Sequence, residues 1–309
     1  MKLCFDMNCF KRVAWAHRIA VFCWAGLVGL LVGCASSPYE HGTGRMDVDL
    51  PLSPSMEQQF YIGEPHGFLD HADWIWPESL LRKLILWDAS IDSHQISEQT
   101  ISALRQYIEE NDLRNVQVLV NCYKPGNQWR RLFKNRTVGG GWRFTLGILS
   151  VVYYTIMPGR FFGGDAYNPY TNTIYLYSDN VNVALHEGGH AKDFGRRESK
   201  GLHAAIYSLP LAPLYYEAKA TNDALSYLKD RQEHEQRAEA YRDLYPAYGT
   251  YVAGSLVRNA SEPLTAQLLL VIPAHVVGAI AAAVAVDEEP DEDARVGDTT
   301  EDAAIMDLR

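Results

Sequence analysis

In the run NVNVALHEGGHAKDFG, His186 and His190 stand four residues apart, with Glu187 beside the first. On an α-helix that spacing stacks both imidazoles on one face, where they reach one metal ion, and turns Glu187 toward a water on that metal. Such a group does hydrolytic chemistry: the metal activates water and the carboxylate takes its proton. Imidazole and carboxylate ligands favour Zn2+. A catalytic zinc wants three protein ligands and an open position, so a third ligand must come from elsewhere. Asp193, Glu198, His203 and Glu217 are within reach in sequence. Glu217 is preferred, because it opens a predicted helix whose small residues Ala218, Ala220, Thr221 and Ala224 can pack closely on a helix carrying Gly188 and Gly189. Asp193 falls on the same helical face as the histidines and is the rival, as a ligand or as an acceptor that fixes a histidine tautomer.

The elements that must hold this group are legible around it. Asn180 predicts an N-cap, Val183, Ala184, Leu185, Ala191 and Phe194 supply apolar faces, and Gly195 followed by Arg196 and Arg197 predicts a stop. Upstream, the run TNTIYLY ending at Tyr177 alternates and predicts a strand, bounded by turn-like residues 167–170 and 178–180. Here the chain resembles the zincin metallopeptidases, in which an edge strand lines the substrate cleft beside the H-E-x-x-H helix. The resemblance covers residues 165–230. The motif, a Glu on a later helix and small residues after it are most similar to the gluzincin branch, and within it to membrane-associated peptidases. One departure stands out. An Asp commonly follows the ligand Glu by four residues, whereas this chain has Thr221, then Asn222 and Asp223, so which of them orients a ligand imidazole stays open. A metzincin would need a ligand where Arg196 stands. The resemblance implies an α+β, zincin-like domain, mostly helical with a small sheet. It also implies zinc on His186, His190 and Glu217, Glu187 as general base, and a polypeptide substrate.

The start of the chain reads as an address. Lys11, Arg12 and Arg18 precede an apolar run over residues 19–32 that closes on Leu31-Val32-Gly33-Cys34. This resembles a bacterial lipoprotein signal, which implies removal of residues 1–33 and lipid on Cys34. Ala35, not Asp, follows the cysteine, and by the same resemblance this favours the outer membrane, facing the periplasm. The alternative is an uncleaved span, for which the run is shorter than the usual ~20 residues. With Cys4, Cys9 and Cys23 removed and Cys34 acylated, Cys122 stands alone and is expected to be buried. Of the net charge of −10, residues 287–309 carry −8, from ten acidic and two basic residues, and read as a solvated disordered tail. The nearly neutral body does not suggest a nucleic-acid partner, and none is expected.

Between these ends, residues 34–70 read as a tether and residues 71–286 as the catalytic domain. Helices are expected over residues 74–86 and after the cap Ser97, where Ile101, Leu104 and Ile108 recur, then a strand over residues 115–120. Pro125, Gly126 and Gly139 to Gly141 mark loops, with Trp129, Arg130 and Arg131 between them. Residues 146–157 are apolar and expected to be buried. A helix should start near Leu214 and run to about residue 244, with Glu233 and Arg237 paired on its exposed side and Pro246 ending it. Residues 264–286 are apolar enough for either a buried or membrane-surface helix pair or a span, a second route to the membrane. Tyr248, Tyr251, His234 and His275 are candidates for an oxyanion donor. The sequence therefore describes a lipid-anchored zinc metallopeptidase of the cell envelope. The alternative is a non-catalytic envelope lipoprotein that keeps the fold as an assembly or interaction module.

Overall fold

The computed structural model describes residues 39–43, 59–64, 93–157, 159, 164–209, 211–258 and 264–287. The expected signal segment, the lipidated Cys34, most of the tether, the helix over residues 74–86 and the tail beyond Asp287 lie outside the described residues. The fold is α+β, mostly helical with one small mixed sheet.

The sheet runs in the order β1 (Phe60–Ile62), β2 (Gln117–Val120), β4 (Thr173–Leu176), β3 (Ala166–Asn168). β1, β2 and β4 are parallel, with Val118 opposite Ile174, and β3 returns antiparallel along β4, with Tyr167 opposite Ile174. The strand expected from TNTIYLY is thus interior. The edge strand is β3, in a stretch that reads as turn because three residues are too few to show alternation. The true turn lies just beyond it, where Asn172 takes a left-handed φ of 51° and the buried Arg131 donates to the carbonyls of Thr171 and Asn172 at 2.7 and 2.8 Å.

Helix α1 (Glu98–Glu110) is capped by Ser97 as expected. α2 (Pro125–Lys134) replaces an expected loop, because Pro125 occupies the first turn, where its missing N–H costs nothing. A π-helical turn at Arg143–Gly147 leads into α3 (Ile148–Ile156). This apolar stretch is not buried as expected. Val151 and Tyr154 pack inward, but the helix rests on the surface by one face, and Leu149, Tyr153 and Ile156 are more than 60% exposed.

α4 (Val181–Arg196) carries the motif, and Asn180 caps it by accepting from the N–H groups of Asn182 and Val183 at 2.8 and 3.1 Å. α5 (Lys200–Tyr207), α6 (Ala212–Asp230), α7 (His234–Arg258) and α8 (Leu264–Asp287) follow. The single helix expected from near Leu214 is two: α6 stops at Asp230, where Gln232 takes a left-handed φ of 59°. α7 then continues through Pro246. It does so because α8 lies antiparallel against it: a Cβ on Gly249 would strike Ala274 O and one on Gly278 would strike Tyr245 O. That close packing offsets the hydrogen bond that Pro246 cannot make. Arg237, expected on the exposed side, is buried and donates to Tyr241 Oη at 3.1 Å, while Glu233 pairs with Arg231 at 2.6 Å. Along α8, Ala274, Gly278 and Ala282 face inward and Ile272, Val276, Ile280 and Val284 face out, each at least half exposed. Residues 264–287 thus form one helix, continuous through Pro273, and not the helix pair expected of them, and among the described residues no helix is long and apolar enough to cross a membrane.

The tether expectation over residues 34–70 needs correcting at two places. Residues 60–62 pair into the sheet as β1, and residues 39–43 strap across α4. The buried Lys192 places its ammonium 3.7 Å from the Tyr39 ring and 2.8 Å from Asp223, and Arg196 donates to the carbonyls of Glu40 and Gly42 at 2.8 and 2.9 Å. Composition hid this, because the partners lie some 150 residues away.

Leu104, Tyr107, Val118, Ile174, Leu185, Ala224 and Leu225 form the main core, with α1 and α6 packed on either side of α4. The two glycines of the motif make this possible. A Cβ on Gly188 would lie 2.7 Å from the Tyr107 ring, and one on Gly189 would lie 2.9 Å from Ala220 O. Alanine is the better helix former by about 1 kcal/mol, yet the contact at Gly189 is with backbone, which cannot turn aside. Gly189→Ala should therefore destabilise the protein by about 1–3 kcal/mol, the usual range for overpacking, read as a lower denaturant midpoint. An unchanged midpoint would contradict the close approach of α4 and α6.

Candidate metal centre

The helix periodicity of α4 and the short distance to α6 bring three side chains to one point. His186 Nε2 and His190 Nε2 lie 3.1 and 3.5 Å from the same oxygen, Glu217 Oε2. The two imidazole rings stand edge to face, with centroids 4.7 Å apart. All three ligating atoms are within 4.8 Å of one another, and all three residues are buried. The group could hold a metal ion.

Glu187 faces the same space from the adjacent side of α4. Its carboxylate accepts the backbone N–H of Tyr167 on β3, while its Oε2 is buried and has no partner among the described residues. A cavity of about 510 Å³ opens here, walled by Glu187, His190 and Glu217 with Asp165, all three residues of β3, Tyr207 and Tyr251. The edge strand therefore lines the cleft, as expected of an edge strand, although it is β3 rather than the strand read from the sequence.

Burial is the largest influence on Glu187 and raises its carboxyl to about 8, with Glu217 and Asp165 pushing the same way against His190 and the Tyr167 N–H. At His190, burial disfavours the charge, but the neighbouring Glu217 outweighs it and lifts the imidazole to about 9. Burial likewise opposes ionisation of Glu217, yet His190 and the bonds from both imidazoles hold its carboxyl well below the usual carboxylate range. His186 is lowered by burial. These shifts favour a charged His190 paired with an ionised Glu217, a positive charge that a bound cation would replace.

The other residues singled out by the sequence fall elsewhere. Asp193, the rival ligand, is drawn away from the centre by Arg197 at 2.9 Å and Lys219 at 3.0 Å. Asp223 is held by Lys192 and by the Tyr107 hydroxyl, so it orients no ligand imidazole. Thr221 does: its Oγ1 lies 3.3 Å from His186 Nδ1. The hydroxyl thus stands where the resemblance leads one to expect a carboxylate. Of the four oxyanion candidates, only Tyr251 reaches the cavity. Tyr248 donates to Leu214 O at 3.2 Å and is a packing residue. Cys122 is buried as expected, with its thiol 3.3 Å from Tyr61 O.

Two residues of the site have no signal in the sequence. Tyr167 lies in a strand too short to recognise, and Tyr207 ends a helix ten residues before Glu217, to which it donates at 2.5 Å. Comparison with known protein families, characterised proteins and solved structures gives no match for this chain.

Proposed function

We propose that this protein is a zinc metallopeptidase of the gluzincin type, held by lipid on Cys34 in the bacterial cell envelope, probing polypeptides that reach its cleft and hydrolysing their peptide bonds. One observation carries the reading. The two imidazole nitrogens stand 3.1 and 3.5 Å from Glu217 Oε2, and a tetrahedron with bonds of ~2.05 Å to zinc has edges of roughly 3.3 Å. The donor set of two imidazoles and one carboxylate suits zinc. When bound, zinc lowers the pKa of water to near neutrality and polarises a carbonyl oxygen.

The chain's own groups supply the remainder. Glu187, whose side chain walls the cavity and whose buried Oε2 has no partner among the described residues, takes the proton of the attacking water and returns it to the leaving amine. Thr221 and Tyr207 orient the ligands. β3 is the last strand on its side of the sheet among the described residues and walls the cleft, where an extended peptide can lie along it. A helix bearing H-E-x-x-H beside an antiparallel edge strand is the arrangement that the zincin resemblance implies.

The docked strap adds a constraint on place. Tyr39 is fixed to α4, so a lipid on Cys34 is joined to the body by five residue steps, a reach of at most ~18 Å. The strap would then hold the body close to the membrane surface. The test is hydrolysis of an unfolded protein by the purified full chain. Activity should vanish on treatment with a zinc chelator and return with stoichiometric zinc. A chain that binds zinc yet hydrolyses nothing would favour the non-catalytic envelope module instead.

A further inference from the structure

We propose that Tyr207 is a positioning residue of the metal centre, which keeps Glu217 a one-oxygen ligand. The inference rests on metal binding at His186, His190 and Glu217, and not on peptidase activity. Glu217 is 2% exposed, so neither of its oxygens can rely on bulk water. Oε2 faces the imidazoles, and Oε1 accepts the Tyr207 hydroxyl at 2.5 Å. The carboxylate plane is fixed by this second bond. With Oε1 engaged and turned toward Tyr207, only Oε2 is presented to a cation, and a coordination position that a two-oxygen carboxylate would fill stays open for water.

The chain is built to make this bond. Tyr207 is the last residue of α5, and the connection to α6 passes through Leu211, a bulky residue held at a left-handed φ of 66°. Such a conformation persists only where its surroundings impose it, and it recurs at functional sites. Pro213 then stiffens the first turn of α6, and Glu217 follows one turn later. The Tyr207 ring is held by Tyr216 at 5.4 Å and lies edge-on to His190 at 6.4 Å. Its single proton is given to Glu217 and is not offered to a developing oxyanion.

The experiment is zinc titration of the metal-stripped full chain against a chromophoric chelator, for wild type and Tyr207→Phe, followed by cobalt(II) substitution. Tyr207→Phe should bind zinc about 10- to 100-fold more weakly, with a wild-type far-UV circular dichroism spectrum and a metal-free melting temperature lowered only by the loss of one hydrogen bond to a buried oxygen. Its cobalt form should show weaker visible absorption, because a freed Glu217 can bind through both oxygens and raise the coordination number. Zinc affinity within about twofold of wild type, with an unchanged cobalt spectrum, would overturn the proposal. If Tyr207→Phe does not fold, 3-fluorotyrosine at position 207 keeps the size and the hydroxyl but alters its donor strength, and an unmoved affinity is then the overturning result. Wild type that binds no zinc removes both this inference and the proposed function, whereas tight zinc binding without hydrolysis removes the peptidase reading alone.

Discussion

Glu187→Gln should reduce peptide hydrolysis by about two to four orders of magnitude while leaving zinc bound. The amide fills the same volume but cannot accept a proton from water, and Glu187 walls the cavity with one buried carboxylate oxygen unpartnered among the described residues. The same variant has a signature in the metal-free protein. Burial raises the Glu187 carboxyl to about 8, whereas in the unfolded chain it ionises near its ordinary 4.5. Between those values the folded chain holds a proton that the unfolded chain has released. Stability must then fall as pH rises through that window, by up to ~1.4 kcal/mol per pH unit, and must level off above it. Glu187→Gln lacks this slope. Chemical denaturation at a series of pH values measures it, and parallel curves for the two proteins would contradict the burial of an ionisable Glu187. Undiminished turnover would remove the mechanism.

Metal loss on substitution of the ligands is the second large effect. Elemental analysis should find about one zinc per wild-type chain, the stoichiometry of a single three-ligand site. His186→Ala and Glu217→Gln should each weaken binding by about a hundred- to several-thousand-fold, taking a structural zinc at ~10–16 kcal/mol shared over three ligands. Glutamine is chosen at 217 because removing the side chain outright would strand two buried imidazoles. Asp193→Ala is the control. Its carboxylate is engaged by Arg197 and Lys219, so zinc content should not change. Zinc lost from Asp193→Ala and kept in Glu217→Gln would reverse the assignment of the third ligand.

These variants probe a centre that is partly written in the sequence. Local spacing made His186, Glu187 and His190 legible, and Asn180 made the helix start legible, because each depends on residues within four positions. Small residues at Gly188, Gly189, Ala220 and Ala224 signalled that two helices approach closely, and from that approach Glu217 could be picked. Local rules failed where a distant segment intervened. Pro246 does not end α7, because α8 packs onto it through Gly249 and Gly278. Residues 39–43 are no tether, because Lys192 and Arg196 receive them.

The sequence by itself determined that two imidazoles share one helix face with a carboxylate beside them, that a strand leads into that helix, and that a later acidic residue can complete the group. Those facts follow from the 3.6-residue period and from capping, which act over one or two turns. Only the tertiary structure decided that β3 is the edge strand, that Asp193 is neutralised by Arg197 and Lys219, that Thr221 supports His186, and that Tyr207 holds Glu217. Those outcomes depend on which buried polar atoms find partners across α4, α5 and α6. A buried carboxylate takes the donors that packing brings to it, and packing is a property of the whole chain.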